Sequence, residues 1–410
     1  EAGIDRATIG FLSWIGLAYA FKWMWSPLVD RMPLPLLTRL LGRRRAWLFF
    51  AQCGIAFALI GVALSDPQID LTQLVMFAVA TAFFSATQDI ALDAYRIEAA
   101  EENMQGGMAA SYQAGYRLAM IAASAGALYI AAGIAGGEGY HYAAWRGTYL
   151  IMAGLMVVGI VSTLLLPEPK TTGLSQSQVD QSEMAAHLAN NAWMPPMMVR
   201  TLAWIYGASI SPLLNFIKRY RWQAVLILAL IATYRISDVV MGVMSNPFYV
   251  DMGYTKAEVA TVTKVYGVIM TIAGAFLGGA LTMRFGVMRI LFVGALLSAM
   301  TNLLFAWLAT RGHDLTGLMF VISADNFSAG IATSAFVAYL SGLTNVAYSA
   351  TQYALFSSLM VLLPKFIAGF SGVAVDAVGY ASFFNATALM GAPVLILVWF
   401  AARVHNKSNT

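Results

Sequence analysis

Asp89 and Asp93, in the run Gln88-Asp89-Ile90-Ala91-Leu92-Asp93, are the residues of this sequence best placed to do chemistry. Four apart on a helix, they share one face. Two like carboxylates in a low-dielectric cavity raise each other's proton affinity, so such a pair can take up and release a proton. Arg96 follows three residues later, and Lys22 and Arg117 reach a similar depth on neighbouring apolar stretches, where either can pair with the acids. A second group is Arg235 and Asp238, three apart, with Asp325 and Lys264 at comparable depth on other stretches. Lys365 follows Pro364, and a proline inside a helix removes a hydrogen bond and invites a kink. Each of these charges has a plainer use, as an ion pair holding helices together or, for Pro364, as a static bend.

Neutral polar groups accompany the charges inside apolar runs: Gln88, Gln113, Tyr116, Asn246, Asn326 and Gln352. Such groups serve either as glue between membrane helices or, taken together, as contacts for an amide- and hydroxyl-rich solute. Other chemistry is poorly supplied. Cys53 is the one cysteine, so neither a disulfide framework nor a thiolate metal site is available. His141, His187, His313 and His405 all fall in expected loops or at the C-terminus, which argues against a buried metal. The sequence holds no H-E-x-x-H, no G-x-S-x-G and no usable Cys–His pair. An aspartyl protease needs two facing carboxylates, not two on one helix. An enzyme is therefore not expected, and neither is a cofactor, a metal or a nucleic-acid partner.

The elements that carry these residues are membrane helices. The chain has 410 residues, 60% hydrophobic and 11% charged, with a mean hydropathy of +0.70. Soluble domains carry about 25% charged residues, and a bilayer is the solvent that accommodates the difference. Apolar runs long enough to cross about 30 Å of hydrocarbon fall at 8–29, 46–65, 71–96, 106–134, 145–166, 222–247, 257–283, 287–310, 315–341, 348–377 and 381–403. A charge at the centre of such a span costs about 2.5–3.5 kcal/mol on insertion scales, so each intramembrane charge is a functional candidate.

The bases orient the chain. Most of the 24 Lys and Arg fall on the side of the loop Arg31 … Arg43-Arg44-Arg45, whereas Arg6, Arg146, Lys256 and Arg311 fall opposite. That loop and the C-terminus are therefore expected in the cytoplasm and Glu1 outside. The interruption at 167–221 splits the spans into five and six. Its first part, 168–191, is rich in Ser and Gln and suits a solvated linker. Its second, 195–220, mixes Trp204, Tyr206 and Leu213 with Arg200, Lys218 and Arg219, and suits an interfacial amphipathic helix.

The two parts echo one another: Met76-Phe77 … Phe84-Ser85-Ala86 before Ala94-Tyr95 returns as Met319-Phe320 … Phe327-Ser328-Ala329 before Ala338-Tyr339. Parallel repeats joined by a long cytoplasmic linker mark transporters built from two six-helix halves. The expected division is an N-terminal bundle at 1–166, a linker at 167–221 and a C-terminal bundle at 222–410. The first helix of the first half is expected to be missing ahead of Glu1. Gly274 and Gly278-Gly279 are expected to permit close helix packing.

Trp25-Ser26-Pro27-Leu28-Val29-Asp30-Arg31, followed by Gly42-Arg43-Arg44-Arg45, resembles the loop motif after the second helix of major facilitator superfamily transporters. Within that superfamily, Ser85-Ala86-Thr87-Gln88-Asp89-Ile90-Ala91-Leu92-Asp93-Ala94, Gly115-Tyr116-Arg117-Leu118, Tyr234-Arg235-Ile236-Ser237-Asp238 and Ser349-Ala350-Thr351-Gln352-Tyr353-Ala354-Leu355 resemble the AmpG-type muropeptide permeases. The resemblance runs through nearly the whole chain. It implies an all-α membrane fold of two pseudo-symmetric six-helix bundles, alternating access, and uptake of anhydromuropeptides driven by protons across a bacterial inner membrane. It implies a place in cell-wall recycling, with the anhydromuropeptide and protons as partners; a monomer in the bilayer is expected. It also marks Asp30, Arg31, Gly42, Arg43, Arg44 and Arg45 as a conformational-switch loop, and Asp89, Asp93, Arg117, Arg235 and Asp238 as the charges to test first. The pattern departs in one respect: the family's first helix has no counterpart ahead of Gly3-Ile4-Asp5. Because the family is related to eukaryotic acetyl-coenzyme A transporters, the alternative is a carrier of another large polar or anionic solute such as acetyl-coenzyme A.

Overall fold

The computed structural model describes residues 18–135, 140–169, 174–189 and 195–408, and every regular element among them is helical. In chain order the helices used below are α1 (Ser26–Arg31), α2 (Arg43–Ala63), α3 (Leu71–Ala99), α4 (Gln105–Ile121, continued to Ala135), α5 (Tyr142–Leu165), α6 (Leu174–Ala189), α7 (Pro196–Ile205) and α8 (Ser211–Tyr220). They continue as α9 (Gln223–Thr233), α10 (Ile236–Asp251), α11 (Gly267–Phe285), α12 (Val287–Leu308), α13 (Leu315–Leu343), α14 (Ser349–Ala368), α15 (Ser371–Leu389) and α16 (Gly391–Ser408). Among the described residues ten helical stretches are long and apolar enough to cross a bilayer. They coincide with ten of the eleven expected spans. The remaining one, 8–29, lies largely outside the described residues.

Three details differ from the sequence reading. The part at 168–191 expected as a solvated linker contains the helix α6, in a stretch free of glycine and proline. The span expected at 222–247 is two helices, because Tyr234 and Arg235 interrupt it and Arg235 takes φ −99° and ψ 9°. The break expected near residue 380 sits at Gly379, where φ is 75°. That conformation is nearly free for glycine and costly for other residues. A further break follows Ala368, which the sequence did not announce.

The chain forms two compact units. The first is built from Glu1–Ala99, Ala119–Asn215 and Thr344–Ser358, and the second from Ala100–Leu118, Phe216–Leu343 and Leu359–Thr410. Each therefore draws a segment from the opposite half of the sequence.

In the first unit α2 packs on α3 and α5, and Val29, Leu48, Ile90, Ala91, Ala350 and Ala354 share a buried apolar cluster. In the second unit α11 lies against α13. As expected, glycine permits that approach: a Cβ added at Gly278 would stand 2.7 Å from the Ile331 Cα. Phe248, Phe305 and Phe384 fill the core beside them with edge-to-face and tilted ring contacts. Large apolar side chains such as Phe57, Val158 and Phe276 point outward, as a lipid solvent allows.

Candidate functional site

The acidic pair in the first unit sits as its spacing requires. Asp89 and Asp93 project from one face of α3, and Lys22 reaches both from the single 3-10 turn Lys22–Met24. The lysine is only 4% exposed. It bonds directly to Asp89, and its Nζ stands 3.8 Å from Asp93 Oδ2. Arg96, one turn further along α3, approaches Asp93 Oδ1 to 3.6 Å and lies 5.2 Å from the centre of the Tyr353 ring. The cluster therefore holds two acids and two bases, with Lys22, Asp93 and Arg96 buried and Asp89 partly exposed. Gln88 Oε1 and Asp93 Oδ1 are buried without a hydrogen bond among the described residues. Buried polar atoms are costly when left unsatisfied, so this cluster has unused capacity for a proton, a water molecule or a solute.

Arg117 belongs to the second unit, within electrostatic reach of the like-charged Arg235, and its Nε is buried without a hydrogen bond. Among the described residues no ion pair links Arg235 to Asp238. Asp238 instead accepts from the Ser298 hydroxyl, Thr301 Oγ1 donates to Asp325 at 3.1 Å, and the two acids face one electrostatic neighbourhood. Beside them Asn302, fully buried, donates to Ser237 Oγ at 2.8 Å and Thr387 Oγ1 at 3.2 Å. The sequence reading missed Ser298, Thr301 and Asn302, all on α12. Their helical spacing within one apolar span was the available signal.

Among the neutral candidates, Asn326 bridges helices by accepting from Thr271 at 3.0 Å. Gln113 is buried and Tyr116 exposed on α4, and Asn246 is exposed on α10. Gln352 is committed to the backbone: it donates to Pro212 O and accepts from Asn345 N, both at 2.8 Å. Lys365 is exposed. Lys264 lies in the π-helical turn Ala260–Tyr266, and its side chain is outside the described residues.

The loop motif forms a second buried network in the first unit. Arg44, with no exposed surface, donates to Asp30 Oδ1 at 2.7 Å and to Glu98 Oε1 at 2.5 Å. Asp30 in turn accepts from the first turn of α14: from Thr351 N and Thr351 Oγ1 at 2.7 Å each, and from Ala350 N at 3.2 Å. A carboxylate there also meets the positive end of the helix dipole. Burial opposes the charge on Asp30, but Arg44, Arg43 and these hydrogen bonds outweigh it and hold the carboxyl below its usual pKa. Ser349 Oγ donates to Glu98 Oε1 at 2.5 Å.

Arg43 donates to Asp30 O at 2.5 Å, Arg45 to Thr163 O at 2.9 Å, and Arg31 to Gln181 Oε1 at 3.3 Å. Gly42, at φ 86°, begins α2, and a Cβ there would run into the Glu168 side chain. Glu168 accepts from Arg44 N and Arg45 N and so caps α2. Glu98 and Glu168 were not singled out in the sequence; each follows the end of an apolar span (71–96 and 145–166) on the side expected for the triple-arginine loop, and that was the signal.

The model of the Major Facilitator Superfamily matches residues 1–245. Solved structures share the fold: the transporter FucP in its outward conformation, at TM-score 0.67 and 15% identity over 98% of this chain and 91% of that one, and the proton:xylose symporter XylE, at 0.64 and 14% over 97% and 87%. The arrangement is that of a multi-pass membrane transporter and not of an enzyme. AmpG 4 of Rickettsia felis is 32% identical over 98% of this chain and 89% of its own length. The anhydromuropeptide permease of Escherichia coli K12 is 33% identical over 96% and 72%. The chain belongs to the AmpG-type permeases of the major facilitator superfamily.

Proposed function

We propose that this protein imports anhydromuropeptides across a bacterial inner membrane by proton-coupled alternating access, as a monomer, in cell-wall recycling. The two moving parts are residues 1–166 and 222–410, with 167–221 as a cytoplasmic linker and the C-terminus also cytoplasmic. The observation that carries the coupling is Lys22, buried between Asp89 and Asp93. A proton delivered to either acid leaves the lysine with one carboxylate in place of two, so protonation changes how strongly the Lys22 turn is held to α3. The substrate reading rests on the E. coli relative's name, and the open polar valences of Gln88 and Asp93 are compatible with it.

The network from Asp30 to the start of α14 supplies the second requirement of alternating access. It ties a loop from the first part of the sequence to a helix from the second, and it must open once per cycle. The charge asymmetry of the loops supports a cytoplasmic position for this tie. Purified protein in proteoliposomes, supplied with labelled GlcNAc-anhydroMurNAc-peptide, tests the proposal. Uptake is expected, and an inward proton gradient should increase it. Absence of uptake overturns the substrate, and uptake indifferent to the gradient overturns the coupling.

A further inference from the structure

A cavity of about 1020 Å³ lies within the second unit, between the start of α4, the α11–α12 turn and the last turns of α16. Its lining is mixed: Phe292, Val293 and Val398 are apolar, and Asn103 and Arg289 are polar. Trp399 also lines it, with the Arg403 guanidinium 3.6 Å from its ring centre. Among the described residues neither Arg289 nor Arg403 has an ion-pair partner. The α11–α12 turn that presents Arg289 is set by Gly286 at φ 86°, whose N–H donates to Thr282 O at 2.9 Å. The α4 wall is held close by glycine, since a Cβ on Gly106 would meet Gly279 O at 2.9 Å.

We propose that this cavity binds an anionic glycerophospholipid, with the phosphate between Arg289 and Arg403 and an acyl chain along Phe292, Val293 and Val398. Three features select this ligand. The cavity lies at the ends of helices that cross the bilayer, the level at which headgroups sit. Arg289 lines it, Arg403 stacks on the lining Trp399, and the apolar Phe292, Val293 and Val398 of α12 and α16 line it too, so charge and tail are matched in one ligand. On the orientation proposed above, this end faces the cytoplasm, where basic pockets between membrane helices meet anionic headgroups. The volume is near the top of the roughly 300–1,000 Å³ usual for small-ligand sites, which suits a headgroup with the upper part of a chain. A free phosphate would leave the apolar lining unused. A lipid in this position braces α4 against α11, α12 and α16, and so stabilises the second unit without touching the transport site.

The test uses the full chain in neutral detergent, with phosphatidylglycerol, phosphatidylcholine of the same acyl chains, or inorganic phosphate added. Retained lipid is read by native mass spectrometry and stability by thermal melting. Wild-type protein should retain phosphatidylglycerol over phosphatidylcholine by at least about fivefold, the scale of one base near an anionic surface. Phosphate should neither raise the melting temperature nor displace the lipid. Two variants probe the bases and the apolar lining separately. R289Q/R403Q should bring the preference to parity, and Val293→Trp, which fills the apolar lining and keeps both bases, should lower retention of both lipids. Arg39→Gln, an exposed base of the first unit, should retain the wild-type preference. Parity in the wild type overturns the site, as does equal loss in Arg39→Gln, displacement by phosphate, or unchanged lipid retention in either cavity variant.

Discussion

Asp30→Asn isolates the tie between the basic loop and α14. The wild-type carboxylate accepts from Arg44 Nη2, Thr351 N and Thr351 Oγ1 at 2.7 Å each, and from Ala350 N at 3.2 Å. Asparagine keeps the shape, but it removes the charge and turns one acceptor into an NH2 facing other donors. A hydrogen bond to a charged group contributes about 1.5–3 kcal/mol. Stranding a buried charge altogether costs about 3–5 kcal/mol, but Arg44 keeps Glu98 through Nη2 and Nε, so the lower range applies. A loss of about 2–3 kcal/mol shifts the balance between tied and untied forms roughly 30- to 150-fold.

The assay is electron–electron distance measurement between spin labels at Arg39→Cys and Val346→Cys, both exposed, in a Cys53→Ser background. The variant should show a longer-distance population that the parent lacks. The pH dependence has a definite sign. Asp30 has a depressed pKa, so its contribution is full above the unfolded value of about 3.9 and is lost as pH falls through the folded one. The parent distances should therefore hold between about pH 5 and 8. An unchanged distribution and melting temperature in Asp30→Asn would refute the reasoning.

Three further outcomes are expected. Asp93→Asn should abolish stimulation of uptake by a proton gradient while leaving exchange of internal for external substrate, measured in the same vesicles; gradient-driven uptake at the parent rate counts against the proton role. Gly278→Leu should lower stability by about 1–3 kcal/mol through overpacking against the Ile331 backbone, whereas Gly115→Ala, with open space around it, should melt like the parent. Asn302→Leu should lose about 1–3 kcal/mol by leaving Ser237 and Thr387 without their donor, read as a lower melting temperature without loss of membrane insertion.

The sequence by itself determined the helices and the face that Asp89 and Asp93 share, because both depend on distances along the chain: about 20 apolar residues cross a bilayer, and i, i+4 residues align. The close packing at Gly278 was legible for the same reason, since a missing side chain is a local property. Partner choice was not. Lys22 reaches the acidic pair, Asp238 turns to Ser298 in place of Arg235, and Gln352 spends its amide on Pro212 and Asn345. Nor did the sequence reveal Glu98 as the second acid on Arg44, although it named the arginine. These outcomes depend on which helices pack together, and a side chain's reach of a few ångströms is decided by contacts between residues tens to hundreds of positions apart. The tertiary structure alone made those choices.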